Sequence, residues 1–136
     1  MLTELYITKH RAIQSLLNEI SVLVQNGIES SADKLSDSIN RMTGVIKMHL
    51  ASEDKHLYPL LLKSSDAQIR AITKNYMEEM GDLAKIYTDF AENYNTASKI
   101  LSNKAGFETA FAKVKHALNY RINREEKELY LFIDKA

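Results

Sequence analysis

His49 and Glu53 stand four residues apart, and so do Arg121 and Glu125. Each pair is followed by a related segment: Glu53-Asp54-Lys55-His56-Leu57-Tyr58-Pro59 is echoed by Glu125-Glu126-Lys127-Glu128-Leu129-Tyr130-Leu131, an alignment that sets His49 against Arg121. On a helix a spacing of four puts both side chains on one face, one turn apart. An imidazole above a carboxylate is half of a metal site. A guanidinium above a carboxylate is instead an ion pair whose cation never loses its proton.

These residues need elements to hold them in place. Four Gly and one Pro leave few breaks, and apolar residues recur at steps of three and four with no strand-like alternation. The first expected helix carries Tyr6, His10, Ile13, Leu17, Ile20 and Val24 on one stripe and stops at Asn26-Gly27. Ser30-Ser31 is the expected cap of the second, whose stripe runs Leu35, Ile39, Met42, Ile46, His49, Glu53, Leu57 and Leu60, with Pro59 loosening its last turn. After Ser64-Ser65-Asp66 comes a third helix, with Ile69, Ile72, Tyr76, Met80, Leu83, Tyr87, Phe90 and Tyr94 in line. A polar break at 102–106 precedes a fourth, from about Phe107 to the end, with the stripe Phe107, Phe111, Val114, Leu118, Arg121, Glu125, Leu129 and Phe132. Residues 1–136 thus read as one all-α domain, an up-down-up-down four-helix bundle.

His10, His49, Glu53, Arg121 and Glu125 interrupt stripes that are otherwise apolar. Burying two carboxylates costs several kcal/mol each unless positive charge or a proton lies between them. Three sources are available. A metal ion bound by two neutral imidazoles and two carboxylates would have a mixed nitrogen and oxygen site suited to iron, manganese or zinc. The Arg121 guanidinium is the second source, and protonation of His10 or His49 the third. Without a metal, Arg121, Glu53, Glu125 and His49 would form an internal salt-bridged network. His56, whose counterpart in the repeat is Glu128, reads as a flank, and His116 as solvated. Tyr76 is a further candidate ligand through its phenol, although a buried tyrosine is more often a packed side chain with its hydroxyl hydrogen-bonded. The remaining Met and Tyr residues read as packing.

Composition limits the alternatives. Among 136 residues, eighteen Lys and Arg balance eighteen Asp and Glu without a basic cluster, so the chain carries no footprint for nucleic acid or an anionic membrane. With no Cys there is no thiolate ligand, disulfide or cysteine nucleophile. No phosphate loop or nucleophile elbow is present, which leans away from an enzyme. The opening lacks a basic and then apolar leader pattern, and no apolar run reaches membrane-spanning length, so a cytoplasmic location is expected.

His10, "HLASEDKHLYP" and "REEKELYLF" together resemble the hemerythrin-like HHE cation-binding family, over nearly the whole chain. The resemblance implies a four-helix bundle around a non-haem di-iron centre. Its ligands would be a His from helix one, His-x-x-x-Glu from helix two, His from helix three and His-x-x-x-Glu from helix four. Members bind oxygen or serve in oxygen, nitric-oxide or iron sensing and in stress responses. Carried over, His10, His49, Glu53 and Glu125 match ligand positions, with the two glutamates as bridging carboxylates. Two positions fail: Arg121 stands where helix four should give His, and the alignment on "YMEEM" puts Met77 where helix three should. Both losses fall on the same ion of the pair. The expectation is a degenerate centre with one iron or none, and reversible oxygen carriage, which draws electrons from both ions, would be lost with the second. The competing reading is a metal-free four-helix interaction or regulatory protein built on an Arg121-Glu53-Glu125 core network. Tyr76, if it reaches inward, would restore a complete pair with oxidase or peroxidase chemistry.

Overall fold

The computed structural model describes residues 2–135, which are almost wholly helical and contain no strand. Helix α1 spans Leu2–Asn26 and buries Tyr6, His10, Ile13, Leu17 and Ile20, as its stripe requires. Gly27 then reverses the chain with φ of 116°, a conformation closed to side chains with a Cβ. Helix α2 begins at once, at Ile28, and runs to Ser52. The expected Ser30-Ser31 cap is therefore corrected: Gly27 is the capping position, and Ser30 Oγ donates to its carbonyl oxygen at 3.2 Å.

After Ser52 the helix widens into a single π turn, Glu53–Leu57, closed by the Tyr58 N–H donating to the Glu53 carbonyl, before a short α3, Tyr58–Leu62. Pro59 accounts for the turn. In a regular α-helix its ring would strike the carbonyl four residues back and would supply no N–H, and widening the preceding turn relieves both problems. The extra residue also shifts the helical phase. Leu60, expected on the stripe, is only half-buried, whereas Tyr58 and Leu61 are fully buried.

Helix α4, Ala67–Tyr94, is capped by Asp66, whose carboxylate accepts from the Gln68 N–H at 2.8 Å. It stops earlier than the expected break. Thr96 caps a separate short helix α5, Ala97–Ser102, and the Asn103 side chain caps α6, Lys104–Lys127. The fourth helix thus does not continue to the chain end. At Glu128, where φ is −129°, α geometry gives way to a 3₁₀ segment, Leu129–Lys135.

Helix α1 packs on α2 and α6, α4 packs on α2, α3 and α6, and α5 lies against α2 and α4. Two apolar clusters result. The larger is centred on Ile13, Leu17, Leu35, Ile39, Phe90, Phe107 and Leu118. The smaller joins Tyr6, Leu57, Tyr58, Leu61, Tyr76, Leu129 and Tyr130. Each fully buried Leu, Ile or Phe contributes about 1.5–3 kcal/mol, so the two clusters hold the ends of the molecule firmly. Between them, His10 follows Tyr6 and precedes Ile13, His49 lies between Ile46 and Leu57, and Arg121 and Glu125 lie between Leu118 and Leu129. The polar residues form a layer clamped from both sides.

Candidate metal centre

All five interrupting residues are buried: His10, His49, Glu53, Arg121 and Glu125 expose no more than 7% of their surface. Donor atoms of His10, His49 and Glu125 lie within 4.8 Å of one another. His10 Nε2 is 3.2 Å from His49 Nε2 and 2.9 Å from Glu125 Oε1. His49 Nε2 is in turn 3.3 Å from Glu53 Oε1. The spacing of four between His49 and Glu53 thus places an imidazole nitrogen against a carboxylate, and α1 brings the second imidazole to meet them.

The other nitrogen of His10 decides what the cluster can hold. Nδ1 is 2.8 Å from Glu126 Oε2, and Glu126 is itself held by Arg11 at 2.6 Å. A carboxylate accepts only, so Nδ1 donates to Glu126, and Nε2 is the nitrogen turned inward: without an ion it donates to Glu125 Oε1, and to bind an ion it would give up that proton. This carboxylate-braced imidazole is how metal-binding histidines are usually oriented. His49 lacks that brace: its Nδ1 is buried without a hydrogen-bond partner, and its ring is steadied by Tyr6, edge-on at 5.8 Å between centroids.

Arg121 points inward and is fully engaged on one side. Its Nε donates to Glu125 Oε2 at 3.1 Å, and its Nη2 donates to the Tyr58 hydroxyl at 3.1 Å and the Tyr76 carbonyl at 3.0 Å. Burial opposes its charge, but Glu125 more than compensates and holds the guanidinium above its ordinary value. The two glutamates divide. Burial and the neighbouring Glu125 push the Glu53 carboxyl well above the usual carboxylate range. Burial acts the same way on Glu125, but hydrogen bonds from His10 and His49 and the Arg121 charge outweigh it and hold Glu125 well below that range. Without an ion, Arg121 offsets the charge of Glu125, and the upward push on Glu53 favours a proton there. A cation beside the imidazoles would take the place of that proton. Two inward imidazole nitrogens, two carboxylates and a braced tautomer fit a nitrogen and oxygen metal site.

Neither helix-three candidate enters this group. Met77 lies toward solvent, 37% exposed, and the α4 residues that line the small cavity beside the cluster are Met80, Leu83, Ala84 and Tyr87. Met80, one turn along from Met77, is the α4 methionine that faces the cluster. Tyr76 is buried, but its hydroxyl donates to Glu128 Oε1 at 2.6 Å and its ring carries Arg121 and Arg124 at 4.8 Å from the centroid. His56 and His116 are exposed.

The chain matches the family model described as the hemerythrin HHE cation binding domain over residues 1–133. It belongs to the hemerythrin HHE cation-binding family. Neither a curated protein nor a solved structure matches it. Family membership implies cation binding, and among the described residues the His10, His49 and Glu125 cluster is where such an ion would fit. No helix of the described residues is long and apolar enough to cross a membrane.

Two residues of this hemerythrin-family site escaped the sequence reading. Glu126 was hidden because it follows Glu125 directly and so belongs on a different helix face. Tyr130 was hidden because in a continuous α-helix it would point away from Glu125, and only the change to 3₁₀ geometry after Glu128 turns it inward. The one available signal was the repeat itself, which pairs Tyr130 with Tyr58.

Proposed function

We propose that this chain is a cation-binding protein that holds a single non-haem iron ion on His10, His49, Glu53 and Glu125, with the Arg121 guanidinium supplying the charge that a second ion would supply. On this reading residues 1–136 are one up-down-up-down four-helix bundle. The role is oxygen, nitric-oxide or iron sensing, or a stress response, in the cytoplasm. The observation that carries it is the convergence of two imidazole nitrogens and a carboxylate in a buried layer, with His10 already turned inward by Glu126. When bound, iron supplies an electrophilic, redox-active centre. The chain's own groups do the rest: Glu126 fixes the tautomer of His10, Arg121 keeps Glu125 ionised, and the two apolar clusters exclude bulk water. The adjoining cavity, of about 30 Å³, has room for about one or two water molecules, a size that suits a diatomic ligand.

The competing reading is a metal-free interaction or regulatory protein, favoured by one observation: Arg121 already satisfies Glu125 directly, at 3.1 Å. Elemental analysis of protein purified under iron-replete, chelator-free conditions separates the two. About one iron per chain, lost in His49→Ala, supports the single site. Two would require a second ion beside Arg121. None, with no change in melting temperature on adding iron, leaves the metal-free network.

A further inference from the structure

The hydroxyl of Tyr130 lies at the centre of the cluster. It is 2.9 Å from His10 Nε2, 3.0 Å from Glu53 Oε2, 3.2 Å from Glu125 Oε1 and 3.5 Å from His49 Nε2. A phenol has one proton to give. Glu53 Oε2 and Glu125 Oε1 both lie within its reach, and His10 Nε2, across the ring from the Nδ1 that faces Glu126, lies between the hydroxyl and Glu125. The phenol oxygen therefore converges with two imidazole nitrogens and two carboxylate oxygens, the kinds of atom a cation at their centre would take as ligands.

The internal repeat points the same way. Tyr58 and Tyr130 each follow the glutamate of their copy by five residues, and in both copies the helix leaves α geometry in between, by a π turn in one and a 3₁₀ turn in the other. Each tyrosine then crosses to the other copy. Tyr58 meets Arg121 at 3.1 Å, and Tyr130 meets His49, the counterpart of Arg121. In the first half the phenol oxygen lies against a fixed cation. In the second it lies against the imidazoles and has none.

We infer that Tyr130 is a metal ligand, its phenolate oxygen bound to the same ion as His10 and His49. The inference rests on the single-iron reading above. Coordination replaces the phenolic hydrogen, which leaves as a proton to solvent, with no change of oxidation state. Tyr76, the tyrosine singled out from sequence, turns its hydroxyl to Glu128 and the Arg124 carbonyl instead, whereas Tyr130 is delivered by a segment that packs on α1, α3 and α4.

The test uses the full chain, loaded with ferrous iron and oxidised in air, with iron per chain measured first. Iron-loaded wild type should show a visible phenolate-to-ferric charge-transfer band, with tyrosinate ring modes in resonance Raman spectra excited into it. Tyr130→Phe should keep at least half of the iron and lose the band more than tenfold, while Tyr58→Phe and Tyr76→Phe keep it. Bound iron without such a band in wild type would overturn the assignment, and needs no variant to fold. So would a band that survives Tyr130→Phe. Wild type that takes up no iron would instead defeat the single-iron reading, and this inference with it.

Discussion

Arg121→Met tests the charge balance of the polar layer. Methionine keeps much of the stem and its packing but removes the guanidinium, with its bonds to Glu125, Tyr58 and the Tyr76 carbonyl. Breaking a buried ion pair from one side costs about 3–5 kcal/mol, because the partner charge stays buried. At roughly 2.1 cal/mol/K of unfolding entropy per residue, a chain of 136 residues loses about 3.5 °C of Tm per kcal/mol, so metal-free Arg121→Met should melt about 10–17 °C below wild type. The assay is thermal unfolding followed by circular dichroism in chelator at pH 7, repeated after chelator removal with added ferrous iron. Iron at a hundred times its Kd restores about 2.7 kcal/mol, so the variant should regain a large part of the loss. A drop of less than about 3 °C in chelator, equivalent to under about 1 kcal/mol, would show that Arg121 does not carry the balance and would refute the argument.

Glu126→Ala removes the acceptor on His10 Nδ1, and should weaken iron binding about 10–100-fold with little loss of stability; titration with a competing chelator measures it. Glu53→Gln should separate stability from binding. The raised carboxyl of Glu53 favours the fold when protonated, a contribution complete below its ordinary value of 4.5 and lost as pH rises through the folded value. Metal-free Glu53→Gln should therefore melt above wild type at pH 7 while binding less iron. Glu125, held low, acts in the opposite sense. Its contribution is present above 4.5 and lost as pH falls toward the folded value, so acid unfolding should steepen below 4.5 in wild type and flatten in Glu125→Gln, as read by circular dichroism against pH. Gly27→Ala places a Cβ at φ of 116°, and should cost about 1–3 kcal/mol in denaturant unfolding with iron binding unchanged.

Helix periodicity made most of this molecule legible. The stripes of α1, α2 and α6 bury as expected except at Val24, Leu60 and Phe132, which are only partly buried, and the interrupting polar residues form one layer because each lies at the same level of its helix. Periodicity assumes 3.6 residues per turn, and the misreadings fall where that assumption fails. Pro59 inserts a π turn and replaces Leu60 with Tyr58 and Leu61 inside. The 3₁₀ turn carries Tyr130 inward. The separation of α5 at Thr96 was missed because a capping threonine differs little from any other polar residue until its side chain is seen to accept from the Lys99 N–H. On α4 the residue beside the cluster is Met80, which follows Tyr76 by four and shares its face, whereas Met77 follows it by one and turns toward solvent.

Small metalloproteins often unfold when they are emptied, so that occupancy and survival are the same event. The permanent positive charge of Arg121 separates the two. A residue that never dissociates keeps a counter-charge on Glu125 whether or not an ion is bound. On the single-iron reading, an ion would then enter and leave a layer that keeps its counter-charge, and occupancy would be uncoupled from folding.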